Sequence, residues 1–145
     1  MNTSATIADT LTTLEEELAT FTDWEERYSH IIALGKGLAP YPEEHRTDAL
    51  LVKGCQSRVW LHASAENGRV QLEADSDALI VKGLAALLLR IFNNRSPQEI
   101  LDTDSAFIGR LGLDQHLSQN RANGLANMLK QIKLYALAFR MVTPA

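Results

Sequence analysis

The chain has 145 residues, of which 46% are hydrophobic and 22% are charged, and its formal net charge is -4 at pH 7. This length is enough for one folded domain with its own core, and we expect that domain to span residues 1–145. The acidic balance with scattered basic residues argues against nucleic-acid binding, and no stretch has the form of a secretion signal or a membrane span, so we expect a cytoplasmic protein.

Two amphipathic helices are predicted at the start of the chain. The first carries apolar residues at helical spacing: Leu11, Leu14, Leu18 and Phe21. The sequence leaves open whether this helix, within residues 1–19, is ordered or peripheral to the core. A second helix is predicted to begin after Thr22, with Thr22 as N-cap and Glu25 completing a capping box. It is predicted to end among Gly35, Gly37 and Pro40.

The middle of the chain has the alternation of a small antiparallel sheet. Residues 56–63 and 69–75 each place apolar side chains at every second position, and Asn67 followed by Gly68 favours a hairpin turn between them. A short strand over residues 50–52 is predicted to precede the hairpin, with a chain reversal at Gly54. The predicted apolar face consists of Val59, Leu61, Ala63, Val70, Leu72 and Ala74.

The second half of the chain is predicted to be helical. Ser76 is the predicted cap of a buried helix over residues 77–92, and Ser96 starts a short helix with a capping box and a proline at its first position. Ser118 is the predicted cap of a last helix. Its apolar stripe consists of Ala122, Leu125, Ala126, Leu129, Ile132, Ala136 and Phe139. The predicted class is α+β, a small antiparallel sheet with helices packed on one face.

The one cysteine, Cys55, is the candidate reactive residue. Free cysteines are often inert and buried, but Cys55 follows Gly54 in a predicted turn instead of lying within an apolar alternation. Lys53 and Arg58 nearby are expected to favour the thiolate. These residues alone leave open whether the thiol is reactive or structural.

Other thiol chemistries find less support in the sequence. A cysteine hydrolase needs a histidine base beside the thiol, and His62 is too far from Cys55 along the predicted strand to pair with it directly. One cysteine cannot hold an iron–sulfur cluster within a single chain, and no histidine spacing typical of zinc is present. We therefore expect no metal site.

Four blocks of the sequence resemble the SufE family, which includes the CsdE proteins. VKGCQSRVWL, residues 52–61, resembles the family's sulfur-acceptor motif. WEERYSHIIALGKGL, DSDALIVKGL and QHLSQNRANGLANML match further family blocks in the same order. The resemblance implies an α+β fold similar to that of the IscU scaffold proteins, with Cys55 at a loop tip as the acceptor. Arg121 matches a family arginine near the partner or the persulfide, and Gly54 and Gln56 flank the acceptor.

The resemblance also implies partners. The family takes sulfur from a PLP-dependent cysteine desulfurase of the SufS or CsdA type, stimulates it, and delivers the sulfur to an iron–sulfur scaffold complex. The chain itself is expected to hold no cofactor and to act as an accessory protein instead of a stand-alone enzyme. A non-catalytic adaptor with a structural Cys55 remains the alternative. Three points stay open: whether the chain is of the SufE or the CsdE type, which protein finally accepts the sulfur, and whether the chain is a monomer or a homodimer.

Overall fold

The computed structural model describes residues 5–142, which form a two-stranded antiparallel sheet surrounded by helices. The strands are β1 (Val59–Glu66) and β2 (Arg69–Ser76). The helices are α1 (Ile7–Ala19), α2 (Trp24–Lys36), α3 (Leu79–Phe92), α4 (Pro97–Asp102), α5 (Ala106–Arg110), α6 (Leu113–His116) and α7 (Gln119–Val142). Helices α3 and α7 pack against the sheet. The predicted α+β class is confirmed.

The hairpin of β1 and β2 follows from its turn residues and from the alternation of apolar and polar side chains along both strands. Asn67 and Gly68 both have positive φ, 54° and 77°, as a two-residue hairpin turn of the primed type requires. The inner face of the sheet is buried at every predicted position: Val59, Leu61, Ala63, Val70, Leu72 and Ala74. Burial of this face fixes the register of the two strands, because a slip by one residue would turn these side chains to solvent.

The outer face of the sheet is partly covered as well. Trp60 lies on that face and is nevertheless only 8% exposed. The guanidinium of Arg46 lies 4.8 Å from the Trp60 ring centroid and is held there by Asp75, whose carboxylate accepts a hydrogen bond at 2.8 Å. Burial raises the pKa of Asp75, but hydrogen bonds from Arg46, the Ser76 N–H and Lys82 outweigh it and lower the pKa. The ion pair thus holds Arg46 over the ring.

A short segment of the chain pairs with each edge of the sheet. Leu51 forms a single bridge with Trp60, so the predicted strand over residues 50–52 is wrong: Asp48–Leu50 is instead a 3₁₀ turn. On the other edge, Val70 forms a bridge with Arg95 and accepts a hydrogen bond from the Asn94 N–H at 2.8 Å. The strand prediction failed because three apolar residues can form a turn as readily as a strand.

Helix α3 is buried on most sides, and its start differs from the prediction. Ser76, the predicted cap, is the last residue of β2, and α3 begins at Leu79. The Ser76 hydroxyl donates to the carbonyl oxygen of Arg58 at 2.8 Å and accepts from the Ala78 N–H at 3.2 Å. Ser76 therefore joins the end of the hairpin to the turn that leads into α3.

The N-cap of α2 lies one residue later than predicted. Asp23, not Thr22, is the N-cap, since its carboxylate accepts the Glu26 N–H at 2.9 Å. Thr22 instead donates its N–H and its hydroxyl to the Glu26 carboxylate. Both residue types are good caps, so residue type alone does not decide between them. The predicted end is confirmed, because α2 stops at Lys36 and Gly37 caps it.

Helix α1 contributes to the core. Its residues Leu11, Leu14 and Leu18 are buried in the same hydrophobic cluster as the inner face of the sheet. The buried guanidinium of Arg95 ties it down, because Arg95 donates hydrogen bonds to the Ala5 carbonyl oxygen and to the Thr10 hydroxyl. The described part of α1 therefore packs into the core of the domain.

The C-terminal helices largely follow the sequence. The capping box of α4 is present, with Ser96 as N-cap and Glu99 bonding back to it. Ser118 accepts the Arg121 N–H at 3.4 Å at the start of α7. The predicted apolar stripe of α7 is wrong at Ala126, which is exposed. Within residues 5–142, no helix is both long enough and apolar enough to cross a membrane.

Candidate functional site

Cys55 lies in the loop that leads into β1, and Gly54 shapes that loop. Gly54 has a φ of +85°, a conformation that side chains other than glycine rarely adopt. A Cβ at Gly54 would also lie 2.6 Å from Nδ2 of Asn127, which donates a hydrogen bond to the Gly54 carbonyl oxygen at 3.1 Å. The reversal predicted at Gly54 is therefore present, and α7 holds the loop through Asn127.

The Cys55 sulfur points toward the start of α7. The thiol is half-buried, and its Sγ lies 3.9 Å from the carbonyl oxygen of Gly124, to which it donates a hydrogen bond. A Cβ at Gly124 would lie 3.8 Å from Sγ, in ordinary contact. Because Gly124 has no side chain, the space beside the sulfur on this side of the loop stays open.

That space is part of an open cavity of about 400 Å³. Its lining residues come from the cysteine loop and the starts of α3 and α7: Cys55, Gln56, Ser57, Ala78, Ile80, Val81, Ser118, Asn120, Arg121 and Gly124. The structure thus brings together three predicted site residues, Cys55, Gln56 and Arg121. Gly54 instead lines a separate cavity on the other side of the loop with Asn127.

Sequence reasoning missed part of this lining. Ser118, Asn120 and Gly124 all lie in the block QHLSQNRANGLANML, but only Arg121 of that block is a predicted site residue. Their place at the start of a long helix favours capping and packing roles. What brings them to the thiol is the packing of α7 beside the cysteine loop, which joins residues 69 positions apart.

The surroundings of the thiol disfavour its ionised form. Burial raises the pKa of the Cys55 thiol, so the prediction that Lys53 and Arg58 favour the thiolate is wrong. Lys53 lines the cavity on the opposite side of the loop, and neither Lys53 nor Arg58 is among the causes of the pKa shift. The side chain of Arg121 is exposed at the rim of the Cys55 cavity, where it can meet an anion.

We expect alkylation of Cys55 by iodoacetamide to be slower in the folded chain than in the chain unfolded in urea at neutral pH. The thiolate is the nucleophile, and the raised pKa leaves less of it. The rate for the unfolded chain should level off above about pH 8.5, the ordinary thiol value, while the folded rate keeps rising. Mass spectrometry of quenched samples across a pH series measures both profiles. A folded profile with the lower midpoint would contradict the effect of burial.

The histidines have other contacts. Among the described residues that line the Cys55 cavity there is no histidine. His30 contacts the Glu17 carboxylate, His116 stacks on Trp24, and the remaining two contact Glu73. A cysteine hydrolase would lack its base here.

A half-buried thiol beside an open cavity, on an α+β fold, defines a thiol site that a partner can reach. The model of the SufE family, described as "Fe-S metabolism associated domain", matches residues 12–136. The chain therefore belongs to the SufE family, and its role lies in iron–sulfur metabolism.

Two relatives agree with this assignment, and one solved structure shares the fold. An uncharacterised SufE-like protein of Rhizobium meliloti (strain 1021) is 45% identical over 123 residues, covering 81% of this chain and 88% of the relative. One from Synechocystis sp. is 38% identical over 138 residues, covering 95% of this chain and 87% of the relative. The solution structure of a hypothetical protein from Thermus thermophilus has a TM-score of 0.77 at 23% identity, covering 91% of this chain and 96% of that one, and is similar in fold.

Proposed function

We propose that this chain is a sulfur carrier that accepts sulfur on Cys55 from a PLP-dependent cysteine desulfurase and delivers it to an iron–sulfur scaffold complex. The observation that carries the proposal is the position of the chain's one cysteine, at an open cavity with Arg121 on its rim. Membership of the SufE family supports it. Binding of this chain to the desulfurase is also proposed to stimulate that enzyme.

The transfer is a thiol exchange in which atoms and electrons balance. The Cys55 thiolate attacks the outer sulfur of the desulfurase persulfide, the donor S–S bond breaks, and the donor cysteine leaves as a thiolate. Cys55 then carries the persulfide. Because the chain has one cysteine, it cannot release this sulfur by forming an internal disulfide. The sulfur therefore has to be taken by a nucleophile of a second partner.

The cavity suits the product of this step. The added sulfur needs room beside Sγ, and the absence of a side chain at Gly124 leaves that room. A persulfide anion gains from a nearby guanidinium, which Arg121 provides at the rim. Gln56 lines the same cavity and can donate a hydrogen bond, while Gly54 acts by shaping the loop. Burial raises the pKa of the Cys55 thiol, so the chain without a partner holds less of the attacking thiolate than a chain with an exposed cysteine would.

A second candidate function is a non-catalytic adaptor that activates a partner enzyme. The observation in its favour is that Cys55 is half-buried and bonded to the Gly124 carbonyl oxygen, as a structural cysteine would be. In that case Cys55 would only pack, and the partner would bind to the surface around the cavity.

We expect that a cysteine desulfurase supplied with L-cysteine will add one sulfur atom to the chain. Intact mass spectrometry detects the gain, reduction by dithiothreitol should reverse it, and peptide mapping should place it on Cys55. The control replaces the desulfurase and L-cysteine with free sulfide. Sulfide should add no sulfur atom to the chain, because it is fully reduced and cannot form a persulfide with a thiol unless an oxidant is present. No gain with desulfurases of both the SufS and the CsdA type would count against the carrier.

A further inference from the structure

Two histidines and a glutamate meet on the outer face of the sheet, away from the Cys55 cavity. His62 and Glu73 are cross-strand partners in β1 and β2, and His45 ends a 3₁₀ turn before the cysteine loop. Oε1 of Glu73 lies 3.1 Å from Nδ1 of His45 and 3.0 Å from Nδ1 of His62. We propose that His45, His62 and Glu73 form a binding site for a divalent transition-metal ion such as Zn²⁺.

The distances are close to those of a metal site. Ligands bonded to zinc at about 2.0–2.1 Å in a tetrahedron lie about 3.3 Å apart. The donor atoms of His45, His62 and Glu73 all lie within 4.8 Å of one another. The two imidazoles stack with centroids 3.7 Å apart, and their side chains are 26% and 25% exposed, so an ion can reach them from solvent. Three protein ligands leave a position for water.

The donor set and the charge around it also favour a cation. Imidazole nitrogen and carboxylate oxygen together suit zinc and its first-row neighbours. The surroundings hold more negative than positive groups: the carboxylates are Glu43, Glu44, Glu73 and Asp75, and the cations are Arg46 and Lys82. Arg46 is itself paired with Glu43 and Asp75, which reduces its repulsion of a metal ion.

The scaffold places the ligands firmly. His62 and Glu73 lie opposite each other on paired strands, and His45 is fixed by Tyr41, whose hydroxyl donates to the His45 carbonyl oxygen at 2.9 Å. Tyr41 is itself buried. An ion at this site would join the segment before the Cys55 loop to the sheet and stabilise the folded chain.

The sequence predicts no such site, since its ligands are far apart along the chain. His45 and Glu73 are separated by 28 positions, and His62 and Glu73 by 11. No short motif connects them, and only the hairpin register together with the turn at His45 brings them into one cluster.

Cobalt(II) titration of the full-length chain without a polyhistidine tag tests the site. A Cys55→Ser background removes the thiol as a competing ligand. We expect one Co²⁺ per chain with visible absorption bands of low-symmetry coordination, and displacement by Zn²⁺. His62→Gln and Glu73→Gln should each weaken binding at least about tenfold, while His116→Gln, whose ring stacks on Trp24, should leave it unchanged.

Thermal unfolding supplies a second measurement. Zn²⁺ should raise the unfolding midpoint of the parent chain, which carries Cys55→Ser alone, and of His116→Gln in that background, but not of Glu73→Gln. Glutamine has nearly the same volume as glutamate and can still form hydrogen bonds. Circular dichroism checks that each variant folds. If His62→Gln does not fold, the comparison of Glu73→Gln with the parent chain is the test. Absence of Co²⁺ binding by the parent, or equal binding by all the variants, would overturn the proposal.

Discussion

Cys55→Ser is expected to accept no sulfur from a cysteine desulfurase, whereas the wild-type chain accepts one atom. Serine has nearly the same shape, so the loop, the cavity and the contact with Gly124 should persist. Its hydroxyl cannot form the sulfur–sulfur bond that the exchange requires. Intact mass spectrometry measures sulfur uptake, and the matched control is Ser64→Ala, an exposed change on β1 outside the cavity lining that should take up sulfur like wild type.

The same variant separates the two candidate functions. Desulfurase turnover, followed through alanine production, reports stimulation independently of sulfur uptake. For a carrier, Cys55→Ser should lose both uptake and the turnover that depends on sulfur removal. For an adaptor with a structural Cys55, the variant should still stimulate the desulfurase. Sulfur uptake by Cys55→Ser equal to that of wild type would contradict the carrier and its assigned acceptor together.

Gly83→Ala is expected to have the largest effect on stability. Helices α2 and α3 approach each other through Gly35 and Gly83, and a Cβ at Gly83 would lie 2.3 Å from the carbonyl oxygen of Ile31. Overpacking commonly costs about 1–3 kcal/mol, and a clash with helix backbone should reach about 3 kcal/mol or more, because backbone cannot rotate away as a side chain can. Urea unfolding followed by circular dichroism measures the change.

Gly37→Ala is the matched control for this substitution. A Cβ at Gly37 would lie 3.4 Å from the nearest atom, the carbonyl oxygen of Leu34, and the residue has an ordinary negative φ of -85°. Its free energy of unfolding should stay within about 0.5 kcal/mol of wild type, as for other substitutions outside special features. Similar stabilities for both variants would show that the two helices can separate at little cost.

Local chemistry predicts much of the fold. The Asn67-Gly68 turn and the capping box at Ser96 are predicted correctly because each depends on residues close in sequence. The starts of α2 and α3 are predicted too early. Thr22 and Ser76 can cap helices, yet the Thr22 hydroxyl bonds to Glu26 one turn later, and the Ser76 hydroxyl bonds to Arg58 on the other side of the hairpin.

For the candidate site, the sequence indicates which residue to test, but it does not predict the environment of the thiol. The block around Cys55 identifies the acceptor candidate, but the thiol pKa depends on burial by a helix far along the chain. Charged neighbours in sequence therefore indicate the wrong direction. The cluster of His45, His62 and Glu73 has no sequence signal, because it depends on strand register.

A sheet of two strands normally has two open edges, and open edges can recruit strands from other molecules. Here each edge is paired at one point with a short segment of the same chain, through Leu51 on one edge and Arg95 on the other. Part of the backbone that would template edge-to-edge aggregation is thereby already bonded. For the proposed carrier, the Cys55 loop can then be presented to two successive partners while the neighbouring sheet stays resistant to non-specific strand exchange.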